Sequence, residues 1–208
     1  MKHPTICLII TVAIIAVSCK GNNEKTTQLP TSEKNKNVND TVAKAPEKGP
    51  IINIIDTVEI KRTVLCTKDS AATIEGLNEK LATIFNKKLP EAATLGKLKI
   101  TGAPIVWYKS KKAPYFFQAG IPVDKAAAKL AKGMFMGKTG GDSAMVAHFF
   151  GPNNLSSIGY EALNDMLKEN KKKKTTDSYE VYIDNKFLTA NEKTDPYKLQ
   201  TDIVMPYK

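Results

Sequence analysis

The chain has 208 residues and a net charge of +10, with 31 Lys and Arg against 21 Asp and Glu, and it holds two histidines and three cysteines. So few histidines and cysteines exclude a multi-histidine metal centre and a disulfide-dense scaffold. The positive balance raises a nucleic-acid surface, which would need aromatic or base-reading partners beside the lysines; the densest run, Lys171–Lys174, reads instead as a solvated helix-to-strand loop.

At the N-terminus, "MKHPTICLIITVAIIAVSC" reads as a signal peptide over residues 1–18, with a basic start (Lys2, His3) and an apolar run from Ile6 to Val17. That run is shorter than the roughly 20 residues a membrane-spanning helix needs. The stretch "AVSCKG" resembles the lipobox of bacterial lipoproteins, with Ala16 where that family usually has leucine. The resemblance implies cleavage before Cys19, lipidation of Cys19, and a membrane-anchored place at the bacterial cell envelope, the outer membrane in preference to the inner. Plain secretion is the alternative. With Cys7 removed and Cys19 acylated, Cys66 alone is left in the body of the protein, so no internal disulfide is expected, and a strand cysteine of this kind reads as a small buried hydrophobe. Residues 19–50 lack aromatics and are rich in Lys, Asn, Thr and Pro, the composition of a flexible tether. Residues 51–208 then form one domain.

Within that domain, "TVEIKRTVL" is expected as a strand. "DSAATIEGLNEKLATIFNKK" follows as a helix, with Asp69 and Ser70 as caps and Ile74, Leu77, Leu81 and Ile84 at helical spacing. "APIVWYK" and "YFFQAGIPV" are expected as strands around the polar turn "SKKAP". "VDKAAAKLAKG" reads as a joining helix capped by Asp124 and stopped at Gly133, and "GKTGG" as the turn that opens a second half. There "SAMVAHFF" is a strand, and "LSSIGYEALNDMLKEN" a helix with Ser156 and Ser157 as caps and Ile158, Tyr160, Leu163 and Leu167 on one side. "SYEVYID" and "KLQTDIVMP" complete the order. The expected fold class is therefore α+β: two β-α-β-β repeats, about residues 55–123 and 143–208, with "AGIPV" in the first matching "IVMPY" in the second.

On the pieces "FFQAGIPV", "AHFFGPNNLSSIGYEALNDML", "YEVYID" and "DPYKLQTDIVMPYK", residues 55–208 resemble the GyrI-like domains, the effector-binding domains of bacterial transcription activators, related to the SOUL-like fold. The resemblance implies a pseudo-twofold between the repeats, antiparallel sheets with helices on one face, and a ligand groove between the repeats. It places Glu180 of "YEVY" at the family's groove glutamate and Tyr197 at a pocket tyrosine of the last strand region. Tyr182 shares the Glu180 face by strand alternation, and Trp107 and Tyr108 lie on the equivalent strand of the first half, so one of them should face the groove. Aromatic faces suit flat cations, and an unpaired buried carboxylate is costly unless a ligand satisfies it. The expected function is binding of a small amphipathic molecule, cationic or aromatic. The alternatives are hydrolysis of small reactive compounds with Glu180 as the catalytic acid or base, and a structural lipoprotein whose groove accepts a peptide segment. Many relatives have Gly-Pro-Tyr where this chain has Gly151-Pro152-Asn153, which weakens the enzyme reading. No cofactor, metal or nucleic-acid partner is implied; the expected partners are a small-molecule ligand and, through Cys19, the membrane.

Overall fold

The computed structural model describes residues 49–184 and 194–208; the expected signal peptide, Cys19 and the expected tether to residue 48 lie outside the described residues. Eight strands form one open antiparallel sheet: β1 (Ile51–Val58), β2 (Arg62–Ala71), β3 (Ile105–Ser110), β4 (Tyr115–Val123), β5 (Met134–Thr139), β6 (Ser143–Phe150), β7 (Tyr179–Tyr182) and β8 (Gln200–Tyr207). Their order across the sheet is β1-β6-β8-β7-β3-β4-β2-β5. The order reads symmetrically outward from the β7–β3 pair, which is the pseudo-twofold of an α+β fold built from two β-α-β-β repeats.

Helices pack on one face. α1 (Ile74–Thr83) passes through a wider turn, Ile84–Lys88, into α2 (Leu89–Leu95), and α3 (Ser156–Glu169) serves the second repeat. Strand alternation sorts the apolar residues. Leu65, Val106, Phe117 and Tyr182 face α1 and α2. Met145, Phe149, Ile203 and Met205 face α3. The oppositely facing set, Val64, Cys66, Ile105, Tyr179, Val181 and Val204, packs together on the helix-free face. Burial pushes the Cys66 thiol up to about 11, against smaller opposing effects of the Gln118 hydrogen bond and the Gly137 backbone, so it stays an unreactive thiol at neutral pH.

Several local expectations give way. "TVEIKRTVL" is broken at Glu59–Lys61, so that β1 pairs with β6 and β2 with β4 and β5. Asp69 and Ser70 belong to β2; the N-cap of α1 is Thr73, whose hydroxyl accepts the Gly76 N–H at 3.1 Å. The segment after Asp124 is not helical. Asp124 accepts the Lys99 N–H at 2.8 Å and donates its own N–H to the Lys99 carbonyl, which holds the backbone in extended pairing. Ala127 and Leu130 then pack on the α1/α2 core as irregular chain, a tertiary demand that outweighs the helix preference of a short Ala/Lys run. "GKTGG" is split, with Gly137–Thr139 ending β5 and Gly140–Gly141 making the turn at positive φ. In α3 the buried stripe is Ser156, Gly159, Leu163 and Leu167, while Ile158 is exposed and no side chain caps the helix. Among the described residues no helix is long and apolar enough to cross a membrane.

Candidate functional site

The two repeats meet along a short ladder in which Ile105 opposes Val181 and Val106 opposes Glu180. Alternation on β7 sends Glu180 and Tyr182 to the helix face and Tyr179 and Val181 to the other. Glu180 is 2 % exposed, a carboxylate at the centre of the molecule. Burial of that kind demands partners. Lys111, from the β3–β4 turn, bonds to Oε1, and the Tyr182 hydroxyl donates to Oε2 at 2.5 Å. Tyr182 spends its one proton there, so the 2.8 Å contact between the Tyr108 and Tyr182 hydroxyls has Tyr108 as donor. The result is a directed chain, Tyr108 to Tyr182 to Glu180.

Lys111 has further partners beside Glu180. Its ammonium donates to Ser156 Oγ at 3.0 Å and lies 3.8 Å from the Tyr160 ring centre and 5.0 Å from that of Tyr108. Burial, and after it the Glu180 charge, pushes the phenols of Tyr108, Tyr160 and Tyr182 above the ordinary tyrosine value. They stay protonated through neutral pH and act as donors, not as nucleophilic phenolates.

Above this network opens a cavity of about 420 Å³. Its walls come from both repeats: Ile74, Leu77 and Asn78 at the start of α1, Asn153 and Asn154 just before α3, Ser156 and Ser157 at its start, and Tyr108, Lys111, Lys112 and Tyr115 around the β3–β4 turn, with Glu180 at the floor. One apolar wall and one polar rim give a place for an amphipathic molecule.

Of the residues singled out in the sequence, Glu180, Tyr182 and Tyr108 come together here. Trp107 is on the helix-free face, its ring centre 5.6 Å from that of Tyr179, and lines a different hollow of about 400 Å³ with Phe135, Gln118 and Thr139. The choice between Trp107 and Tyr108 is thus made by the register of β3 on β7. Tyr197 sits half-buried in the short turn of helix Pro196–Lys198, where Asp195 accepts its N–H at 3.0 Å, and it does not line the cavity. Cys19 lies outside the described residues. Lys111, Tyr160 and Ser156 were not legible as site residues: a turn lysine, a helix-face aromatic and an apparent cap carry no sequence signal of convergence. His148, on β6, contacts Asp202 at 2.7 Å and Gln200 at 3.1 Å, a satisfied strand histidine. Among the described residues no group of His, Cys, Asp and Glu is placed to hold a metal ion.

No protein-family model matches the sequence, and no curated protein does. Solved structures do share the fold. The C-terminal domain of EcmrR is 14% identical over 76% of this chain and 98% of that domain, with a TM-score of 0.60. EcmrR in a complex with DNA is 15% identical with a TM-score of 0.57, and this chain, matched over 76% of its length, spans 57% of that protein. A hydrolase from Listeria innocua is 8% identical over 74% of this chain and 91% of its own, with a TM-score of 0.50. At these identities the likeness is one of fold, the open antiparallel α+β sheet that this chain shares with them.

Proposed function

We propose that residues 51–208 are a small-molecule-binding module, held at the bacterial cell envelope by a lipid on Cys19 at the end of the 19–50 tether. The observation that supports binding most directly is the cavity of about 420 Å³ built at the junction of the repeats over a buried, fully hydrogen-bonded Glu180. A site with a rigid charged floor, tyrosine hydroxyls in a fixed relay and an apolar wall selects by shape and by one polar contact. The ligand is a small amphipathic molecule with an aromatic or cationic part. A cation seeking the Glu180 carboxylate meets Lys111 already there.

Catalysis is the lesser reading. Both Glu180 oxygens accept hydrogen bonds and the neighbouring phenols hold their protons, so a free general base is lacking in this arrangement. A panel of amphipathic aromatics should give saturable thermal shifts, weakened by the rim-filling substitution Asn78→Trp, and mass spectrometry should return every compound unchanged. Absence of any saturable shift would overturn the binding reading, and turnover lost in Glu180→Gln would replace it with a hydrolase.

A further inference from the structure

The charge that a ligand meets in this cavity is not the charge at its floor. Glu180 lies under Lys111: the carboxylate side chain is 2% exposed and the lysine side chain 32%. Each Glu180 oxygen already has a donor, Lys111 on Oε1 and Tyr182 on Oε2. The ammonium stands in the place of a bound cation, against Glu180 and over the faces of Tyr160 and Tyr108. Among the described residues it uses two of its three N–H groups, on Glu180 and Ser156. A second lysine, Lys112, lines the same cavity, so its walls carry two positive charges against one negative.

A second cation entering here would face like charge and would have to expel Lys111 from a buried ion pair, at a cost that its own contact with Glu180 only replaces. An anion has no such competitor. We infer that Lys111 is a built-in cation that fills the Glu180 seat, and that the cavity takes a hydrophobic organic anion. Its acceptor group meets the free N–H of Lys111, and its apolar body lies on Ile74, Leu77 and Tyr115. The inference rests on the cavity being a ligand site at all.

A matched pair of probes, naphthylacetate and naphthylethylammonium, separates the two questions by calorimetry. The wild-type protein should bind the acid more tightly than the amine by roughly tenfold, the worth of one charge-assisted contact. Lys111→Met should reverse the preference, exposing the carboxylate to the amine. Since that variant leaves a buried charge alone and can fail to fold, Lys111→Met/Glu180→Gln, neutral at both positions, is the second test; it should bind the two probes within a factor of about two to three. Asn78→Trp should weaken both equally. A wild-type preference for the amine, or the wild-type ratio surviving in the double variant, would overturn the inference while leaving the cavity a binding site. Binding of neither probe, or binding indifferent to Asn78→Trp, would overturn the cavity reading and the inference together.

Discussion

Glu180 and Lys111 form one pair with two unequal halves. The carboxylate is only 2% exposed at the floor of the cavity, whereas the lysine enters from a turn and keeps a third of its side chain exposed. Removing the cation by Lys111→Met should therefore strand a buried charge and destabilise the protein by about 3–5 kcal/mol. Glu180→Gln keeps an acceptor for Tyr182 and lets the ammonium turn to solvent, so its cost should be about 1 kcal/mol. Urea unfolding of both variants measures the difference, and equal losses would show that Lys111 does not neutralise Glu180. The sequence places Glu180 and Tyr182 on one face because strand alternation is a property of the backbone alone. It leaves Lys111 among many lysines, because the partner of a turn residue depends on where another repeat puts its strand.

Element boundaries follow the same division. The strands that run through the middle of the sheet announce themselves by apolar runs bounded by turns. The two edge strands do not. β1 has half-buried isoleucines on one side and exposed ones on the other, and β5 contains Gly137 and half-buried methionines, so neither shows a clear period. Their seat is a tight junction: the Gly141 N–H bonds to the Glu59 carbonyl at 2.7 Å, and the Glu59 N–H to the Asp142 carbonyl at 3.1 Å. Gly140 holds φ +76 there, and a Cβ on it would stand 2.0 Å from the Ile60 carbonyl oxygen. Gly140→Ala should thus cost about 2 kcal/mol or more, read as a melting temperature lowered by several degrees. An unchanged melting temperature would mean that the two edge connections do not depend on this contact.

For the whole molecule, the proposed anchor and the folded region are separable. Cys19→Ala should move the protein from the membrane fraction to the soluble envelope fraction, or leave it uncleaved, with the ligand affinity of the cleaved form unchanged; equal membrane association of both forms with the signal removed would end the lipid-anchor proposal. The folded region itself carries the mark of its two repeats. Pro122 of β4 matches Pro206 of β8, so Gly120 matches Val204; these pair with Ile105 and Tyr179 respectively, which makes Val106 the counterpart of Glu180, and Tyr108 that of Tyr182. Val106 and Glu180 are also direct partners across the sheet. A position and its own counterpart thus share one rung. Had both copies kept the acid, two carboxylates would face each other across that rung, and one would have to stay protonated. The duplicated architecture holds a single negative charge at this central rung, paired with Lys111, and so, although it is made of two alike parts, the proposed site should take one ligand per chain.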